Sequence, residues 1–263
     1  MKKTSLQKIV FIGSGNVATS LSESLKKNHE IIQVYSRTLA NASKLGKKLH
    51  CSFTDDLKKI SQDADLYIIA VKDDAIAEVC KKLSLPDKMV IHTSGSTALN
   101  VLKQVSDKYG VLWPMYSFAG KAKLASAIPF FMESSDKKTE KELTGLVNGL
   151  KGKPYYLDSE KRAIVHMTAV FVNNFPNHLF TIAEALCNEA GIPFNLFLPL
   201  AKETVENISK QSPALSQTGP ASRNEKNIIK KQMALLKSHP DYRVIYKLLT
   251  KSIIKTSSGR KKL

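Results

Sequence analysis

The feature that most constrains this chain is a short apolar segment that runs directly into a glycine-rich turn. Ile9–Ile12 is apolar without alternation, which is typical of a parallel strand covered on both faces. Gly13–Ala18, GSGNVA, follows with the spacing G-x-G-x-x-A, and Thr19–Lys27 then has a helical pattern. The first glycine permits a tight turn, the second lets a pyrophosphate approach the backbone, and the alanine lets the helix pack closely. This stretch predicts a dinucleotide-binding βαβ unit.

Apolar strand-like segments alternate with helical segments up to residue 158. Further strands are predicted at 31–35, 51–53, 65–71, 89–92, 111–113, 128–132 and 154–157, and helices between them at 39–49, 97–108 and 137–151. The alternation predicts a Rossmann-type α/β domain over residues 1–158, with a mostly parallel sheet and helices on both faces. From residue 159 the pattern is helical only. We therefore expect residues 159–263 to form an all-helical domain for substrate binding and dimerisation.

Polar residues follow several predicted strands at the sheet edge where ligands of open α/β folds collect. The candidate cofactor-binding residues are Gly13, Ser14, Gly15, Asn16, Val17, Ser36, Arg37, Thr38, Ala70, Val71, Lys72, Thr93 and Ser94. NAD-selective folds place an acid about 20 residues after the glycine turn, where it binds the ribose 2′-hydroxyl. This chain has Ser36-Arg37-Thr38 there instead. A guanidinium flanked by hydroxyls suits a 2′-phosphate, so the sequence favours NADP(H) over NAD(H).

The formal net charge of +17 raises the question of nucleic-acid binding. The excess is nearly all lysine, in pairs such as Lys26-Lys27 and Lys81-Lys82 on helical faces, and only five residues are arginine. Basic residues do not interleave with aromatic ones in the way that stacks bases. We expect a lysine-rich surface and no nucleic-acid partner, although the charge keeps nucleic-acid binding as a minor alternative.

Cysteine usage and hydropathy bound the location of the protein. The three cysteines, Cys51, Cys80 and Cys187, are widely spaced and odd in number, which excludes a disulfide framework and gives no metal-ligand spacing. No apolar run approaches the ~20 residues that span a bilayer. The apolar run near the N-terminus is too short for a signal peptide and continues into the glycine turn. We expect a cytoplasmic protein with neither a metal nor a membrane partner.

Seven stretches of the chain together resemble a bacterial two-domain family. They are GSGNVA (13–18), YSRT (35–38), DLYIIAVKDDAIAEV (65–79), HTSGS (92–96), IPFFMES (128–134), VFVNNFPNHLFTIAEAL (170–186) and QTGPASR (217–223). Members of this family join a Rossmann-like NADP-binding domain to a helical domain of unknown function, number 2520. The chain is more distantly similar to pyrroline-5-carboxylate reductase, β-hydroxyacid dehydrogenases and deazaflavin-dependent NADP reductases. The resemblance implies NADP(H) as cofactor, a homodimer formed through the helical domain, and hydride transfer, but it implies no particular substrate.

One departure from the distant relatives affects the chemistry. β-Hydroxyacid dehydrogenases carry a catalytic lysine on the long interdomain helix, whereas residues 163–190 of this chain contain none. The polar residues available there are His166, Asn173, Asn174, Asn177 and His178. Asn174 and His178 are spaced i, i+4 and share a helical face, and His166 lies two turns earlier. Each histidine alone is better explained as a core or interface residue. For the cluster, this explanation and a site with a proton donor and substrate anchors stay equally open.

These observations predict an NADP(H)-dependent oxidoreductase. Hydride would pass between the nicotinamide and a small C=O or C=N substrate in the interdomain cleft. His166 or His178 would supply the proton, with Asn174 and Ser94 orienting the substrate. The alternative is a non-catalytic NADP-binding sensor or regulator, which would explain the missing lysine.

Overall fold

The computed structural model of the protein describes residues 6–118 and 124–260. The chain divides into two compact units, Met1–Phe171 and Val172–Leu263. The domain boundary predicted after residue 158 lies before helix Ser159–Ala169, which belongs to the first unit in this division. The predicted boundary after residue 158 stays a prediction. Within the described residues, no helix has both the length and the hydrophobicity that crossing a bilayer requires.

The first unit is built on an eight-stranded sheet in the order β3-β2-β1-β4-β5-β6-β7-β8. The strands are β1 Lys8–Ile12, β2 Glu30–Tyr35, β3 Ser52–Thr54, β4 Leu66–Ile69, β5 Met89–His92, β6 Lys108–Pro114, β7 Pro129–Ser134 and β8 Lys153–Tyr156. All neighbouring strands pair in parallel except β6 and β7, which are antiparallel. This is the predicted Rossmann-type sheet, and the strand β1 with its glycine turn lies between β2 and β4.

Helices cover both faces of this sheet. They are α1 Asn16–Leu25, α2 Leu39–Leu49, α3 Asp73–Cys80, α4 Lys137–Gly149 and α5 Ser159–Ala169. Alternate residues of β1 enter two different apolar clusters: Ile9 and Phe11 pack with α1, α2 and α4, whereas Val10 and Ile12 pack with α3. Burial on both faces explains why β1 is apolar without alternation. The predicted fold class is confirmed.

The helix predicted at 97–108 is wrong. The chain forms only a 3-10 turn at Leu99–Leu102 before β6 begins. Tertiary hydrogen bonds replace helical ones there: Leu99 N–H donates to Ser159 Oγ at 3.0 Å, and the Val105 carbonyl accepts from Leu85 N–H at 2.8 Å. The β-branched and polar residues of this segment have modest helix propensity, so such bonds decide its conformation.

The second unit is helical throughout its regular structure, as predicted. Its helices are α6 Phe175–Glu189, α7 Leu198–Lys210, α8 Lys226–Leu235 and α9 Pro240–Arg260, and a π-helical segment, Val170–Asn174, precedes α6. The π segment ends two residues before Pro176, whose missing N–H cannot bond the carbonyl four residues earlier. The only apolar side chains buried within the described part of this unit are Cys187, Ala221 and Leu236.

Candidate functional site

The glycine turn after β1 is held between its two neighbouring strands. Gly13 N–H donates to the Tyr35 carbonyl of β2 at 2.8 Å, and Ala70 N–H donates to the Ile12 carbonyl at 2.8 Å. Gly13 has φ +127°, and a Cβ built on it would lie 2.1 Å from the Ala70 carbonyl oxygen. Only glycine therefore fits this position.

Gly15, by contrast, faces open space. A Cβ built on Gly15 would meet no heavy atom of the described residues within 4 Å. Gly15 is the N-cap of α1, whose first backbone N–H groups and positive dipole end are suited to an anion. The turn thus combines a position closed by protein with a position open to a ligand.

A pocket of about 1080 Å³ opens over this turn. Its walls include eleven of the predicted cofactor-binding residues: Gly13, Ser14, Gly15, Asn16, Val17, Ser36, Arg37, Ala70, Val71, Lys72 and Thr93. They come from the carboxyl ends of β1, β2, β4 and β5, which meet at one sheet edge. The structure therefore brings these residues together, and the role of each in binding stays a prediction.

Side-chain hydrogen bonds link the glycine turn to the neighbouring loops. Ser14 Oγ donates to Ser36 Oγ at 2.8 Å, which couples the turn to the end of β2. Asn16 Nδ2 donates to the Phe118 carbonyl at 2.8 Å, which ties the start of α1 to the chain after β6. Arg37, next to Ser36, is exposed and lines the pocket. Its guanidinium is accessible to a phosphate.

Two predicted cofactor residues lie outside the pocket wall. Thr38 is exposed and is the N-cap of α2. Ser94 is buried, and its Oγ accepts hydrogen bonds from Ser96 N–H at 3.1 Å and Thr97 N–H at 2.9 Å. Ser94 therefore stabilises the loop that follows β5. A direct contact of Thr38 or Ser94 with the cofactor or the substrate stays a prediction.

His92 supports the same loop from beneath. Its Nδ1 accepts a hydrogen bond from Ser94 N–H at 3.2 Å, and the ring is fully buried. Burial, and to a smaller extent the nearby Arg162 charge, lowers the pKa of His92 to about 4. The imidazole is therefore neutral at neutral pH and serves as an acceptor in the loop.

A buried ion pair that sequence analysis missed fixes the far side of this loop. Arg162 of α5 is fully buried, pairs with Glu133 of β7, and donates to the Thr97 carbonyl. Ser159 Oγ donates to Glu133 Oε2 at 2.7 Å and accepts from Leu99 N–H. The bonds of Arg162 and Ser159 to Thr97 and Leu99 hold the 94–99 loop against α5. Loss of either partner of the ion pair would leave a buried charge unpaired, which is costly. Nothing in the spacing of Arg162 distinguishes it from an exposed helical arginine.

His166 lies next to the same loop. A Cβ built on Gly95 would lie 2.8 Å from His166 Cδ2 and 2.7 Å from Trp113 Cε2. The His166 and Trp113 rings are in edge contact, with centroids 5.4 Å apart. Because Gly95 has no side chain, the imidazole of His166 on α5 fits against the loop that follows β5. The His166 side chain is partly exposed.

The other two predicted catalytic residues belong to the second unit. Asn174 ends the π-helical segment, and His178 lies in the first turns of α6. Both side chains are exposed. Their catalytic roles stay predictions from the sequence.

Several pocket residues were not predicted from the sequence. They are Tyr35, Leu57, Asp73, Asp74, Ala75, Glu78, Val79, Lys82 and Phe118. Five of the nine lie on α3, where Ala75, Glu78 and Val79 share one helical face, and Lys82 follows the end of that helix. This periodicity was the available signal, but Lys81-Lys82 was interpreted as an ordinary exposed pair. The described residues contain no group of three or more metal-ligating side chains.

Comparisons with known proteins agree with this geometry. Residues 8–95 match the family described as NADP oxidoreductase, coenzyme F420-dependent, and residues 128–253 match the domain of unknown function 2520. A provisionally assigned NADP oxidoreductase from Bacteroides fragilis is 35% identical, with a TM-score of 0.88, over 95% of this chain and 98% of that chain. This chain belongs to the same NADP oxidoreductase family as the Bacteroides fragilis protein. The resemblance inferred from the sequence is confirmed; by family the protein is an oxidoreductase, and its cofactor is NADP(H).

More distant solved structures share the fold. A Thermotoga maritima protein is 22% identical, with a TM-score of 0.70, over 96% of this chain and 99% of that chain. A reductive aminase from Aspergillus terreus, in complex with NADPH and ethyl levulinate, is 16% identical, with a TM-score of 0.73, over 97% and 98% of the two chains. No curated protein matches the chain in sequence.

The two glycines of the turn predict different outcomes for the same substitution. Gly13→Ala forces a Cβ into the Ala70 carbonyl at a positive φ, so we expect a loss of stability of at least about 2 kcal/mol. Gly15→Ala should fold with nearly wild-type stability but bind NADPH at least about tenfold more weakly, because its methyl enters the ligand space. Urea unfolding and NADPH titration measure the two effects. Equal stability of both variants would contradict this account of the turn.

Proposed function

We propose that the protein transfers hydride between NADP(H) and the carbon of a small C=O or C=N group. The observation that carries this proposal is the glycine turn, closed at Gly13 and open at Gly15, on a pocket that also includes Arg37. These residues fit the cofactor: the turn and α1 would hold the pyrophosphate, and Arg37 the 2′-phosphate. When bound, NADPH supplies a hydride to the substrate carbon.

His166 is proposed as the proton donor of this reaction. Reduction of C=O or C=N requires a proton at the oxygen or nitrogen as hydride reaches carbon. The support for His166 is its contact with Gly95, in the loop that begins beside the pocket residue Thr93. The buried Arg162–Glu133 pair holds that loop and would keep the imidazole in register. The predicted interdomain cleft and the roles of Asn174 and His178 are retained as predictions from the sequence.

A homodimer formed through the helical unit is the second part of the proposal. Large apolar side chains are exposed on several of its helices, among them Val205 on α7 and Leu248 on α9, which are 64% and 63% exposed. Burial of these side chains against a second copy of the chain would remove their apolar surface from water. A cytoplasmic location is also proposed, because Cys51, Cys80 and Cys187 are free thiols, as is usual in a reducing compartment.

Cofactor selectivity tests the assignment of Arg37. Arg37→Ala should weaken NADPH binding at least about tenfold and leave NADH binding nearly unchanged, because only NADPH carries the 2′-phosphate. Fluorescence titration of wild type and variant with both cofactors measures this difference. Lys44→Ala on α2 is the control for loss of one surface charge, since Lys44 does not line the pocket. An equal loss for NADPH and NADH would contradict the assignment.

Proton donation by His166 is tested with NADPH and a panel of small ketones, aldehydes and cyclic imines. His166→Ala should lower kcat by a factor of about 100 or more while NADPH affinity stays within about twofold. His239→Gln, which changes a histidine bonded to Glu189 outside the pocket, is the control. Wild-type turnover by His166→Ala would show that the proton comes from another group.

The dimer is tested by light scattering of the purified protein. We expect a mass of about twice the 29.1 kDa chain. Leu248→Asp should shift the protein to monomer or to a concentration-dependent equilibrium, because a carboxylate is costly in an apolar interface. Leu39→Asp, at an exposed leucine of the first unit, should leave the mass unchanged. A monomeric wild type would contradict the proposal.

A further inference from the structure

Two lysines, Lys72 and Lys82, line the pocket together with Arg37. Lys82 follows the last turn of α3, and it lines the pocket together with Tyr35, Leu57 and Val79. Tyr35 and Val79 belong to one apolar cluster and Leu57 packs against it, so they provide an apolar surface in the same pocket as these cations. An adenosine that carries a phosphate on its ribose requires this combination: apolar contact for the base and positive charge for the phosphate.

Lys82 forms a weak, exposed ion pair with Glu78. Its Nζ lies 2.9 Å from Glu78 Oε1, one helical turn earlier, and both side chains are more than half exposed. Exposed pairs of this kind are weak, so the ammonium can exchange Glu78 for a stronger anion at little cost. The hydrogen bond to Glu78 and its charge raise the pKa of Lys82, and Tyr35 adds a smaller increase. The ammonium is therefore charged at neutral pH.

We propose that Lys82 is a specificity-determining residue that binds the 2′-phosphate of NADP(H) together with Arg37. Glu78 positions the Lys82 ammonium until the 2′-phosphate replaces Glu78 as its partner. A phosphate monoester carries between about one and a half and two negative charges at neutral pH, so it competes well with one carboxylate. NAD(H) has only a hydroxyl at this place, which leaves Lys82 paired with Glu78. The proposal rests on the proposed function, since it requires a dinucleotide in this pocket.

Neighbouring residues offer matched controls. Lys81 precedes Lys82 and is the C-cap of α3, but it does not line the pocket. Lys81→Gln therefore removes the same charge from the same turn without removing a wall residue. Glu78→Gln keeps the shape of the side chain while it frees the Lys82 ammonium and removes a negative charge from the pocket.

The experiment is a set of equilibrium titrations on the full chain at fixed, moderate salt. NADPH and NADH are followed by cofactor fluorescence, and 2′,5′-ADP and 5′-AMP are measured as competitors that isolate the 2′-phosphate. Lys82→Gln should weaken NADPH and 2′,5′-ADP at least about tenfold, with NADH and 5′-AMP changed by less than about twofold. Lys81→Gln should match wild type. Glu78→Gln should tighten NADPH, and circular dichroism should show that all variants are folded.

Three results would overturn the proposal. The first is a preference for NADPH that survives in Lys82→Gln while Arg37→Ala loses it; this leaves the proposed function intact and removes Lys82 from it. The second is an equal loss of NADPH and NADH affinity in Lys82→Gln, which would mean that Lys82 acts on a part common to both cofactors. The third is a wild type that binds neither cofactor, in which case the proposed function fails as well.

Discussion

The close approach of the β1 turn to the end of β4 is the contact on which the rest of this structure depends. At Gly13 the backbone passes so near the Ala70 carbonyl that a Cβ has no room, while hydrogen bonds join the same turn to β2. This packing brings the ends of β1, β2 and β4 to one place. It leaves Gly15 and the N-terminus of α1 facing the pocket. A ligand with two phosphate groups fits a surface of that kind because free backbone N–H groups point toward it.

The loop after β5 completes the site by a different means. It is held by a buried ion pair, by Ser94 and by the neutral His92, and it accommodates His166 at Gly95. A buried charge pair is weak evidence for stability, but it specifies one arrangement, because each charge is costly without its partner. The positions of the loop and of His166 are therefore linked through α5. This coupling would hold the imidazole of His166, the proposed proton donor, against that loop.

Local patterns were sufficient to predict most of the first unit. The unbroken apolar run of β1, the glycine spacing and the alternation of strands and helices specify the sheet, and the strand ends identify eleven of the pocket residues. The prediction of a helix at 97–108 was wrong because tertiary hydrogen bonds, which local propensity does not encode, determine the conformation of this segment. The burial of Arg162 and the pocket face of α3 were missed for a related reason. A charged residue in a helical pattern is usually solvated, and only the packed structure shows which charged residues are buried or line a pocket.

The pocket over the glycine turn is proposed as the binding site for NADP(H). The most direct test is the thermal unfolding of the wild-type protein with and without saturating NADPH, NADH and ATP. A ligand that binds the native state alone raises the unfolding temperature in proportion to the logarithm of its excess over Kd. We expect a clear increase of the unfolding temperature with NADPH, a smaller increase with NADH, and little change with ATP. No increase with NADPH would contradict it, because the glycine turn would then be a structural element without a ligand.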